Sequence, residues 1–164
     1  MEALTHEQIH EIRRNWYLRL ERGFSKPVPM AVAKTYFKAL LVFAHGDGVL
    51  SAKERSWIVG FAALLGHSDE FLQFVHSYSA DDNIYDLIAE LSASQNAQRA
   101  LLYDAICACT ADGYHAQEQQ RIHQVAKTLG ISDEVVERIE ALVTAELALT
   151  AGKREILHNN QSPF

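Results

Sequence analysis

Apolar residues along this chain fall at helical spacing, and no stretch sustains the strict alternation that a half-buried strand requires. Thr5 and Gln8 make a capping-box pair ahead of Ile9, Ile12, Trp16 and Leu20, which recur at i, i+3, i+7 and i+11. That stripe predicts a first helix with its apolar face in the core, ended by Gly23 and the stretch 25–29. A second helix is expected from Met30 to His45, then a turn over 46–50. Ser51 and Glu54 cap a third that carries Trp57, Ile58, Phe61, Ala62, Leu64 and Leu65 up to Gly66. Ser68 caps a short fourth helix, and Asp81 or Asp82 opens a fifth through Ile84, Leu87, Ile88 and Leu91. Helices are expected near 97–110 and 116–129, and Ser132 caps a long eighth.

The pattern also repeats. ALLVFAHGDGVLSAKERSWIVGFAALLGHSDEF, from Ala39, aligns with DAICACTADGYHAQEQQRIHQVAKTLGISDEV, from Asp104, once one residue is deleted from the second turn. Asp47–Gly48 then matches Asp112–Gly113, Glu54 matches Glu118, Ile58 matches Ile122, and Leu65–Gly66 matches Leu129–Gly130. The expected architecture is an all-α compact bundle of about eight helices, built from a duplicated helix-turn-helix unit (repeats about 34–75 and 99–139) with pseudo-twofold symmetry. A single domain spans 1–157, and 158–164 reads as a flexible tail.

With 48% apolar residues and a formal charge of −6, the chain reads as a folded protein whose basic residues are too dispersed for a nucleic-acid partner. Cys107 and Cys109 lie two apart on a helix and point away from each other. They read as buried, reduced thiols. No apolar run approaches a membrane span and the N-terminus has no signal-peptide core, so a cytoplasmic protein without direct membrane insertion is expected.

The stretch HGDGVLSAKE resembles the back half of a calcium-binding loop: Asp47, Gly48, Ser51 and Glu54 stand where such a loop has ligand, glycine, ligand and bidentate Glu. Its front half is missing, since His45 and Phe43 occupy the earlier ligand positions. Each residue is also explained by a turn or a cap. The duplication adds a further expectation: if the two units pack about a twofold axis, Asp47, Glu54, Asp112 and Glu118 converge. Four carboxylates placed together require a hard divalent cation such as calcium, magnesium or manganese, with zinc less suited.

The helix, then HGDGVLSAKER, then a helix ending in LLG, together with ACTADGYHAQE in the second half, resembles the tellurite-resistance TerB family and its TerB-like relatives. The resemblance covers about 30–143. It implies an all-helical, internally duplicated, non-enzymatic domain with an acidic surface for divalent metal, in a bacterial system linked to tellurite and other chemical stress. It also implies protein partners, since relatives occur fused to co-chaperones. Asp47, Glu54, Asp112 and Glu118 match the family's acidic motif, whereas the shortened second turn and Gln119–Gln120 depart from it.

Two other readings compete. A metal-free interaction scaffold, related to co-chaperone accessory domains, would need no cation. A metallohydrolase would use His6, Glu7 and His10, which fit the zinc-protease spacing H-E-x-x-H but lack an evident third ligand. His115 and His123 flank Glu118 and would shift an acidic site toward transition metals if they joined it.

Overall fold

The run 39–44, ALLVFA, has no polar side chain to offer water, so a helix built on it has to be enclosed. The computed structural model describes residues 3–23, 29–91 and 95–158, apart from the side chains of Asp47, Gln95, Asn96 and His158. Among these residues the fold is all-α. Its helices are α1 (His6–Leu20), α2 (Met30–Ala44), α3 (Ala52–Leu64), α4 (Asp69–Ser77), α5 (Ile84–Leu91), α6 (Gln95–Cys109), α7 (Ala116–Thr128) and α8 (Asp133–His158). A 3-10 turn, His45–Asp47, follows α2. The expected tail 158–164 lies outside the described residues, except that His158 closes α8.

The second helix is the axis of the bundle: α2 packs on α3, α5, α6 and α7, and every residue from Ala39 to Ala44 is buried. In α6, Leu101, Leu102, Ala105, Ile106, Ala108 and Cys109 are buried in the same way. α8 covers α6 and α7 from the other side. An aromatic cluster fills the α2–α3–α4 corner, where the Phe37 ring lies 5.7 Å from Phe61 and 5.5 Å from Phe71. His67 stacks on Phe71 at 4.1 Å and 18°.

Local rules account for the helix starts. Thr5 Oγ1 accepts the Gln8 N–H while Gln8 Oε1 takes the Thr5 N–H, and Ser68 Oγ accepts the Phe71 N–H. The start of α5 differs from expectation. Asn83, not Asp81 or Asp82, precedes it and accepts the Tyr85 N–H, while Asp82 pairs with Lys38 of α2 at 2.7 Å.

The first helix is also rotated relative to the expected orientation. Ile12, Trp16 and Leu20 are half to two-thirds exposed, and the inward face is His10, Arg14, Tyr17 and Leu18. The cause is polar. Arg22, just beyond α1, forms an ion pair with buried Asp104 of α6, and its guanidinium lies 4.2 Å above the Tyr103 ring. Tyr36 of α2 donates to the other Asp104 oxygen at 2.6 Å. A buried charge has to be paired, so this clamp fixes which side of α1 turns inward, whatever its apolar stripe. Gly66, in the left-handed region at φ +74°, lets α1 approach closely; a Cβ there would stand 3.1 Å from His10.

These buried polar groups can be tested by substitution. Asp104→Ala leaves the Arg22 guanidinium buried without its partner, and its unfolding free energy in denaturant should fall by about 3–5 kcal/mol. His67 is held neutral: burial, then the nearby Arg14 charge, lower its pKa from 6.5 to about 4. The unfolded chain therefore binds more protons between those values, and this residue's contribution to stability is lost as the pH falls through that window. His67→Phe keeps the ring stack, so its melting temperature should gain on the parent more at about pH 5 than at about pH 8.

Candidate metal centre

Helices α3 and α7 each begin at the surface, immediately after a tight turn that follows a buried helix, and their first buried residue is the glutamate at the third helical position. The first turn of a helix has unpaired N–H groups, and buried ones need an acceptor. In α3 the acceptors are reciprocal: Ser51 Oγ takes the Glu54 N–H at 3.2 Å, and Glu54 Oε2 takes the Ser51 N–H at 2.8 Å. At α7, His115 stands where Ser51 does, and Glu118 Oε2 takes its backbone N–H at 2.8 Å. The expected Ser51–Glu54 cap is present, α7 has a counterpart that the sequence did not announce, and both glutamates are drawn into the core, with exposures of 1% for Glu54 and 2% for Glu118.

The structure brings these two carboxyl groups together. Glu54, Glu118 and fully buried Cys109, the last residue of α6, each place a ligand atom within 4.8 Å of the others. Glu54 and Glu118 are within hydrogen-bonding reach through their side chains. With both ionised, neither can donate, and Glu54 Oε1 is left buried with no partner. Such an orphan costs stability unless a proton or a cation serves it. Burial, then the Glu118 contact, pushes the Glu54 carboxyl up to about 7, with a smaller push from the Asp112 charge. Burial and the two glutamate charges raise the Cys109 thiol far above its ordinary value, so without a metal it keeps its proton.

The expected ligands therefore divide. Glu54 and Glu118 meet. Asp112 is exposed and not in the buried trio, although its charge is felt there. The Asp47 side chain lies outside the described residues; its backbone belongs to the 3-10 turn closed by Gly48 at φ +93°. Cys109 was legible only as a buried thiol. Its one usable signal was its place three residues before Asp112, at the buried end of the helix that feeds the second turn.

The histidines go elsewhere. His123 faces the start of α8, with Nδ1 3.0 Å from Asp133. His115 is exposed and contributes its backbone. His6 and Glu7 are exposed on α1 while His10 sits against Gly66, and the three form no metal-holding group among the described residues. The Arg of the first motif also has a structural task. Arg55 Nη1 caps the end of α4 through the Val75, His76 and Tyr78 carbonyls, where a cation is favoured. Gln119, at the matching position of α7, bonds instead to Glu140 of α8.

Among the described residues, no helix is long and apolar enough to cross a membrane. No family model and no curated protein matches the chain. A crystal structure of a tellurite resistance protein from Nostoc punctiforme is similar over 95% of this chain and 98% of its own, with a TM-score of 0.85 and 32% sequence identity. Likeness at that identity over nearly the whole length of both chains extends beyond fold to common descent: this chain belongs to the TerB-like tellurite resistance family.

Proposed function

We propose that the chain is a non-enzymatic, cytoplasmic stress-response domain, formed as one unit from a duplicated helix-turn-helix, that takes up a divalent cation where the two copies meet and acts through protein partners. The observation that carries this reading is the partnerless Glu54 Oε1, buried and facing Glu118 and Cys109. Two carboxylates and a thiolate are a donor set for a borderline ion of the zinc class, with a remaining position open to water or a partner's side chain. Cys109 thus moves the preference from calcium, magnesium or manganese toward zinc. Asp112, outside the trio, strengthens the negative potential at the site. Tellurite enters only through the family, as the property named for the relative from Nostoc.

A second reading is favoured by the same pair of carboxyls. One proton shared between Glu54 and Glu118 also satisfies the orphaned oxygen, and the domain is then a metal-free scaffold.

Two measurements test the carboxyl pair, and the first separates the readings. In metal-stripped protein, zinc at about 100 times its dissociation constant adds about 2.7 kcal/mol, a rise in melting temperature of about 5–10 °C for a chain of this size. Cys109→Ser should abolish most of the zinc response, and Glu54→Gln the response to every cation; a melt that about 1 mM zinc, manganese and calcium leave unchanged refutes the metal reading.

The second measurement is pH dependence in chelator. Glu54 has a folded pKa of about 7 against an ordinary 4.5, so the native state binds the extra proton. Its contribution to stability is full below the lower value and is lost as the pH rises through the higher one. Glu54→Gln should flatten that loss, which runs opposite in sign to the His67 effect and is separated from it by comparing the two variants.

A further inference from the structure

Val143 is the last buried residue of α8; from Thr144 to Leu157 none is buried. From Leu147 to His158 the helix runs on for about three turns, roughly 18 Å. Its sequence is nonetheless not that of a solvated extension. Leu142, Leu149 and Ile156 recur every seven residues at exposures of 50%, 61% and 83%, with Ala145 and Gly152 three residues after the first two. This is a heptad seam whose alternate layers are small. Gly152 lies in mid-helix, where glycine is unfavourable, and nothing in the chain comes within 4 Å of the Cβ it lacks. The fold of one molecule gives no reason for it. The seam also continues a groove on the body: Val135, Ile139 and Leu142 of α8 form one wall of a cavity of about 710 Å³ whose other walls include Tyr17 and Tyr103.

We propose that this seam is a self-association surface, on which the ends of α8 from two copies of the chain pair antiparallel. Charge selects the partner and the register. Setting Leu149 against Gly152 of the copy puts Ala145 against Ile156 and brings Glu146, which also accepts the Tyr103 O–H of its own chain, opposite Lys153, twice, across the twofold axis. Sliding by one heptad, so that Leu149 meets Ala145, sets Glu146 against Glu146 of the copy, like charge on like. A parallel pair would force the two bodies to the same end of the seam. Of these registers only the first joins opposite charges while placing Leu149 and Ile156 over the small residues Gly152 and Ala145, which lets the two helices approach closely. The surface covered is at the small end for stable dimers, so the dissociation constant should be on the order of 10 µM.

The test is sedimentation equilibrium of the full chain from about 5 to about 500 µM, in chelator and again with zinc, so that failure of the metal reading and failure of this one are told apart. The expected result is a monomer–dimer equilibrium. Lys153→Glu should weaken it about tenfold or more, and Glu146→Lys combined with Lys153→Glu should restore it. Gly152→Leu should break the dimer while preserving or raising monomer helicity, a combination that a misfolded variant cannot give. A chain that stays monomeric throughout assigns the seam to another partner and overturns the proposal. So does a dimer indifferent to both Lys153→Glu and Gly152→Leu.

Discussion

The all-round burial of the Ala39–Ala44 half of α2 is the constraint from which the rest of the molecule follows. A helical stretch with no polar side chain must be enclosed, and α2 packs on α3, α5, α6 and α7. The turn after α2 comes to the surface, with Gly48, Val49, Ala52 and Lys53 exposed, and α3 enters the bundle from there with Glu54 its first buried residue and its first-turn N–H groups without intrahelical partners. The same holds where α6, itself buried along much of its length, hands over to α7. A glutamate three residues into each helix is the local remedy, because it reaches back to the N-cap amide. Each cap uses one carboxyl oxygen and leaves the other to be satisfied, and two such caps back to back create the electrostatic problem that defines the site. Its chemistry arises from the requirements of helix capping in a crowded core.

The second organising interaction is the clamp of Arg22, Asp104 and Tyr36. It joins the end of α1 to α6 and α2 through a charge that cannot be left unpaired, and the aromatic faces of Tyr17, Phe61 and Tyr103 shelter the guanidinium. Its strength explains why the apolar stripe of α1 ends at the surface: the orientation that buries Ile12, Trp16 and Leu20 would withdraw Arg22 from Asp104. The body is thus bounded by two elements, α1 and α8, that carry more apolar surface than their own contacts cover. For α8 that surface has heptad spacing and carries Glu146 and Lys153 beside it, the features on which the proposed pairing rests.

Much of the fold was legible because its rules are local. The Thr5–Gln8 and Ser51–Glu54 boxes, the Ser68 cap and the glycine that ends each LLG or TLG run depend only on residues a few positions apart, and each forms as expected. The start of α5 escaped the same rules because Asp81, Asp82 and Asn83 are interchangeable at that range, while the distant Lys38 holds Asp82 elsewhere. At the site, the matching glutamates could be read from the alignment of the two halves. Cys109 was marked only by its place three residues before Asp112, and a buried cysteine on an apolar helix says nothing further of what it faces.

By itself, the sequence determined the helices, their caps, and the presence of one carboxyl at the start of both α3 and α7, because helix periodicity and capping act over a single turn. Tertiary structure alone decided that Glu54 and Glu118 touch while Asp112 stays outside, that Cys109 joins them, and that α1 shows its stripe to solvent. Those outcomes rest on desolvation and charge pairing between residues many positions apart, for which the chain must first be folded. HGDGVLSAKE is accordingly a turn and a cap by local chemistry, and half of a buried carboxyl pair only because the folded bundle sets Glu54 beside Glu118.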